Sequence, residues 1–191
     1  LGNATTVMDP FHVVRLAGDA LDRCRRRIQQ QVHGHRGRAG DPLYGARRTL
    51  HTGADLLTPK QQARLDALFG DDDHVEVEAT WCIYQDMIAA YRAPDPATRR
   101  SLMEQLIAKV TSGVPGALVE VITLGRTLKK RAADVLAYFD RPGTSNGPTE
   151  AINGRLEHLR GSALGFRNLT NYIARSLLET GGFRPRLHRG S

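Results

Sequence analysis

Apolar residues recur at helical spacing through most of this chain, and the alternation of a half-buried strand is nearly absent. A chain patterned this way folds as packed helices. Its first long segment is "DPFHVVRLAGDALDRCRRRIQQQV", residues 9–32. There Val14, Ala17, Leu21, Cys24, Ile28 and Val32 form one stripe, and the spacing predicts a helix over about 10–33. Asp9 suits its N-cap and Pro10 its first helical position. The other face carries Arg15, Arg23, Arg25, Arg26 and Arg27.

The same pattern continues downstream. "TPKQQARLDALFG" predicts a short helix capped by Thr58. Val77, Trp81, Tyr84, Ile88 and Tyr91 predict another, behind an acidic start at Asp71 to Asp73 that suits the positive end of a helix dipole. Trp81 and Tyr84 fit that stripe, so they read as core and not as a base-stacking platform. "DPATRRSLMEQLIAKVTSG" gives a further helix, and "PGALVEVITLGRTLKKRAADVLAYFD" a single longer one. The last helices are expected near 148–160 and 169–180. Between the first two helices, "HGHRGRAGDPLYGARRTL" carries four Gly and one Pro, which argue against regular structure. Residues 4–8 read as the end of a short β-branched strand, which needs partner strands and is expected to find them upstream. The fold class expected is mostly α, with one or two strand fragments at most.

A chain of 191 residues can bury one core, or a core with an insertion. Its formal charge is +7, and Arg dominates the cations, which suits a polyanion partner. Cys24 and Cys82 sit in helical patterns without metal-ligand spacing and read as reduced core thiols of a cytosolic protein. His33 and His35 lack partners at ligand spacing. No stretch of about 18 apolar residues is present, so no membrane span is expected.

Two carboxylates draw attention. In "TSNGPTEAINGRLEHLRGSALGFRN", residues 144–168, Gly147 and Pro148 open a helix and Glu150 takes its third position. There it can serve as half of a capping box. It also shares a polar face with Asn153, Gly154 and Glu157, opposite the apolar Ile152, Leu156 and Leu159. Asp9 is likewise an adequate N-cap, yet it stands where an apparent strand runs into a helix. Acidic ligands for phosphoryl-transfer metals collect at such places.

The stretches around these two acids resemble bacterial insertion-sequence transposases of the DDE class. The branch is the one whose catalytic core is interrupted by a helical insertion before the final Glu. Asp9-Pro10-Phe11-His12 matches the signature at the family's second catalytic Asp. Asn146-Gly147-Pro148-Thr149-Glu150-Ala151-Ile152-Asn153 matches the context of the catalytic Glu, followed by Arg160-Gly161 and Gly165-Phe166-Arg167-Asn168. The resemblance implies the C-terminal part of a ribonuclease-H-like α/β core. Residues 1–33 would be a core strand end and a basic helix, 34–140 the helical insertion, and 141–191 the core helices carrying the Glu. It implies Asp9 and Glu150 as catalytic metal ligands for two Mg2+ or Mn2+ ions, with His12, Asn146 and Asn153 in support. One ion would activate water or a DNA 3′-hydroxyl, and the other would stabilise the leaving oxygen. The first Asp, a zinc-binding segment and a helix-turn-helix segment are expected upstream, so this chain alone is expected to be inactive.

The partner implied is double-stranded DNA, both element ends and target, bound by a homo-oligomer in the bacterial cytoplasm at the nucleoid. Residues 1–50 hold nine Arg against four Asp. Arg23, Arg25, Arg26, Arg27, Arg36, Arg38, Arg47 and Arg48 are therefore candidate phosphate contacts. Lys129 and Lys130 in "GRTLKKR" are a second set, and Arg155, Arg160 and Arg167 beside Glu150 a third. Two other readings remain open: a non-catalytic helical DNA-binding or assembly module derived from a transposase, and an unrelated basic helical regulator.

Overall fold

A computed structural model describes residues 6–141, apart from 36 and 39. These residues fall within one compact unit, residues 1–144. Seven α-helices order them: α1 Pro10–His33, α2 Pro42–Ala46, α3 Pro59–Phe69, α4 Val75–Arg92, α5 Pro96–Thr111, α6 Val119–Lys130 and α7 Ala132–Asp140. No strand occurs among the described residues, which agrees with the mostly helical expectation. Residues 6–8 are irregular. Instead of pairing in a ladder, the Met8 amide donates to the carbonyl of Asp134 at 2.9 Å, which ties the approach to α1 onto α7. The helices expected near 148–160 and 169–180 lie outside the described residues.

The helix starts follow one chemical rule. Asp9, Asp41, Thr58 and Asp95 each accept a backbone N–H at an N-terminus whose first turn contains Pro. At α3 the box is complete: Thr58 accepts from the Gln61 amide, and the Gln61 side chain accepts from the Thr58 amide. Gly34 ends α1 in the left-handed conformation, at φ 67°, where its amide closes on the Gln30 carbonyl.

Two expectations about where helices begin and end give way. The Gly-rich segment after α1 is not wholly irregular, because Asp41-Pro42 starts α2 as Asp9-Pro10 starts α1. The single helix expected over 115–140 is two, with a break at Arg131 (φ −110°). The turn aims α7 so that Phe139 stacks on Tyr91 of α4, centroids 5.2 Å apart, with Tyr138 edge-on to both.

Packing is cyclic. α1 lies on α4, α4 on α5, α5 on α6 and α6 on α1, with α7 crossing the α5 end. Val13, Leu21, Val77, Met87, Met103, Val121 and Leu128 fill the centre and are essentially inaccessible. Burial of each such side chain contributes about 1.5–3 kcal/mol. Gly125 lets α6 come close to α5, since a Cβ there would run into the carbonyl of Val110. Tyr84 is buried and Trp81 half-buried against Phe69, consistent with a core role. Val32 departs from the predicted stripe and is exposed at the α1 terminus. Cys24 is a core thiol, as expected, whereas Cys82 is exposed, lining an open groove that Lys109 of α5 and Val121 of α6 also line. Among the described residues no helix is long and apolar enough to cross a membrane.

Candidate metal and nucleic-acid site

Asp9 sits at the mouth of α1. Its backbone is extended (φ −63°, ψ 137°), and its Oδ1 accepts the Phe11 amide at 2.8 Å. A carboxylate at a helix N-terminus faces free N–H groups and the positive end of the dipole, so its charge is held where a cation can also reach it. His12 is exposed in the same turn, edge-on to the Phe11 ring at 5.8 Å. Tyr91 of α4 also lies within the electrostatic reach of Asp9. Its hydroxyl is buried without a hydrogen-bond partner, and it is pushed well above the ordinary phenol range by burial first, then by Tyr138 and Asp9. Beside this turn a groove of about 400 Å³ opens between the start of α1, the Thr49–Leu56 segment and the end of α4.

A carboxylate oxygen is the right donor for a hard divalent ion. One carboxylate does not make a metal centre, however, and no group of three or more metal-capable side chains occurs among the described residues. Glu150, Asn146 and Asn153 lie outside the described residues, as do Arg36, Arg155, Arg160 and Arg167.

The arginines of α1 divide into two classes. Arg23 and Arg26 are exposed. Arg25 and Arg27, grouped with them in the sequence as phosphate contacts, turn inward. Arg25 is 5 % exposed; it bonds Asp22 twice at 3.2 Å and the Gln29 carboxamide at 3.0 Å. Gln29 then donates to Asp41, whose other oxygen caps α2. This buried polar chain fixes α2 onto α1. Arg27 bonds Glu120 on α6, Glu76 on α4 and the Ala117 carbonyl. The physical reason is desolvation. The nearly buried Glu120 needs a cation, which Arg27 supplies, and the buried Arg25 guanidinium needs an anion, which the part-exposed Asp22 supplies. Burial opposes ionisation of Glu120, but the Arg27 bonds and charge, the Glu120 backbone amide and the Arg23 charge together outweigh it and hold that carboxyl below its ordinary range.

The remaining described candidates sit at the surface. Arg38, Arg48, Lys129 and Lys130 are exposed, and Arg47 lies half-buried over the Tyr44 ring, 4.1 Å from its centre. Arg126 belongs with them. It lines a groove of about 340 Å³ between α5 and α6 together with Lys129. It lies within the sequence run 125–131, but its place beside Lys129 in the α6 wall of this groove is what singles it out.

A family profile described as transposase, of the DDE class and ISL3 type, matches residues 1–176. The chain is also similar to the transposases for insertion sequence element IS1557 of two Mycobacterium tuberculosis strains, CDC 1551 / Oshkosh and ATCC 25618 / H37Rv. Each is 25% identical over 205 aligned residues, an alignment that covers 97% of this chain and 45% of the relative. The chain thus spans less than half the length of these curated relatives. No solved structure matches it. The match across nearly all of the sequence places the chain in the ISL3-type family of DDE transposases.

Proposed function

We propose that this chain acts on DNA in the transposition of an insertion sequence, by metal-dependent strand cleavage and strand transfer. The observation that carries the reading is the N-cap position of Asp9. It stands at the exposed start of a long helix, within the motif that the family resemblance assigns to a catalytic acid. Glu150 is the second acid in this reading, and Mg2+ or Mn2+ bound through the two is the cofactor. Residues 34–140 are read as a helical insertion in a ribonuclease-H-like core, and the active species as a homo-oligomer on element ends.

Within this reading the described residues do two things. Asp9 presents a carboxylate whose orientation is fixed by the Phe11 amide. Arg23, Arg26, Arg38, Arg48, Arg126, Lys129 and Lys130 offer cations to phosphates, which gives positioning without base readout. Arg25 and Arg27 hold the helices that carry them. In-line phosphoryl transfer needs little beyond acids, positioning and charge, so few residues suffice.

The test is cleavage of element-end DNA in Mg2+ or Mn2+ by a protein extended to the length of the relatives. Asp9→Asn and Glu150→Gln should each abolish cleavage while the fold is kept, and Glu157→Gln should cleave like the parent. Cleavage at the parental rate by both acid variants would refute the assignment.

A further inference from the structure

Three arginines from separate segments converge on α2, and no carboxylate bonds any of them among the described residues. Arg47 lies over the Tyr44 ring, and its Nη1 donates to the Tyr44 carbonyl at 2.9 Å. Arg64 of α3 lays its guanidinium against Gly45, so closely that a Cβ at Gly45 would strike its Nη2. Gly37, at φ 68°, packs against the Tyr44 ring, which places the neighbouring, exposed Arg38 beside the same short helix. Residues 34–70 hold six Arg or Lys against three Asp, and each Asp is committed elsewhere. Asp41 is buried and accepts from Gln29 and the α2 amides, Asp55 pairs with Arg92, and Asp66 accepts from Gln62. Among the described residues Arg38 and Arg64 have no ion-pair partner, and Arg47 bonds only a carbonyl. Like charges gathered on one short helix repel, and an anion between them relieves the repulsion.

We propose that Arg64, with Arg47 and Arg38, seats one phosphate of the DNA backbone on α2. The inference rests on the DNA-acting reading above. It adds Arg64, which the sequence alone does not single out, and a site assembled from three segments in place of a diffuse charge. Planar guanidinium forks match phosphate oxygens bidentately. Tyr44 holds Arg47 in place before DNA arrives, so less side-chain freedom is lost on binding. Gly45 leaves the α2 backbone bare where Arg64 lies, so the site depends on a glycine as well as on charge. A contact of this kind fixes the register of the duplex and reads no base.

The experiment is fluorescence anisotropy of the full chain with a labelled duplex across a salt series. Arg64→Ala should lower the slope of log affinity against log salt by about one, and weaken binding about tenfold at ~0.1 M salt. Lys109→Ala removes the same unit of charge from α5, where Lys109 pairs with Asp86, and should leave both readings near the parent. Gly45→Ala keeps every charge but puts a methyl where the Arg64 guanidinium lies. It should weaken binding in the same direction and by less, with a melting temperature at or above the parent because alanine is the better helix former. Equal losses for Arg64→Ala and Lys109→Ala, or a Gly45→Ala protein that binds like the parent, overturn this inference alone. So does an Arg64→Ala change confined to the melting temperature, since Arg64 would then only brace α3 on α2. Inorganic phosphate that displaces the duplex from the parent but not from Arg64→Ala, at constant ionic strength, would give the site to a free anion and overturn it too. A parent that binds no duplex at low salt overturns the DNA-acting reading and this inference with it.

Discussion

The guanidinium of Arg27 meets the carboxylate of Glu120 through two bonds of 2.9 Å, joining the end of α1 to the start of α6. A third bond, 3.0 Å to Glu76, adds α4. Arg27→Ala leaves Glu120, whose side chain is 9% exposed, without its hydrogen-bonded cation. We expect a loss of about 2–4 kcal/mol in urea unfolding, less than for a fully buried pair because Arg27 keeps some contact with water. Arg27→Lys should recover only part of it, since an ammonium cannot fork across two oxygens.

The same pair sets an acid dependence. Glu120 has a folded pKa below its unfolded value, so its contribution is present above the ordinary glutamate range and is lost as pH falls through the folded pKa. Parental stability should therefore decline on acidification below that range. In Arg27→Ala the sign reverses. Burial, the largest influence on Glu120, is then opposed only by its backbone amide and the Arg23 charge; the Glu120 pKa rises, and stability should rise as pH drops through it. Urea midpoints across an acidic pH series check both slopes.

Gly125→Ala pits two effects against each other. Alanine is the better helix former by about 1 kcal/mol. The added methyl, however, strikes the Val110 backbone carbonyl, which cannot rotate away. Overpacking of this kind costs about 1–3 kcal/mol, so we expect a lower melting temperature. A melt at or above the parent would show that α5 and α6 can separate.

Much of the helical frame was legible in the sequence. The span of α1 follows from Asp9-Pro10 and the apolar stripe behind them, and the start of α3 from Thr58 as its cap. α2 was missed although Asp41-Pro42 repeats the same cap, since neighbouring glycines outweighed it. The break at Arg131 leaves no local mark, as apolar spacing carries on through it. The inward turn of Arg27 was illegible for a different reason. Its partners lie 49 and 93 positions away, and a helical wheel places a cation on a face without saying what packs there. The same limit applied to the groove beside Asp9, which three distant segments build together.

That division sharpens the DNA test. Arg23→Ala with Arg26→Ala should lower the slope of log affinity against log salt by up to about two, close to one per phosphate contact. Arg25→Ala and Arg27→Ala should change unfolding and leave the slope of the still-folded protein alone. Equal slopes for the parent and the exposed pair would move the phosphate contacts to Lys129, Lys130 or Arg126.

Cysteine labelling offers an independent check of packing. Burial pushes the Cys24 thiol up to about 11, and its sulfur donates to the Glu76 carbonyl at 3.4 Å. Cys82 is exposed, and partial burial followed by Glu78 and Asp86 raises its pKa as well. A chromogenic disulfide at neutral pH should modify Cys82 in the native state. Cys24 should react only at the rate of global unfolding, and fast modification of both would contradict the α1–α4 packing.

The Arg27 network has a mechanical consequence. α1 spans 24 residues, roughly 36 Å, with the Asp9 turn at one tip and this three-helix anchorage near the other. No proline interrupts its interior, and its buried flank is packed along nearly its whole length. Such a rod transmits force without absorbing it. A force applied at α6 would displace the Asp9 carboxylate by the same motion, so the acid and the helices anchored to α1 travel as a single lever.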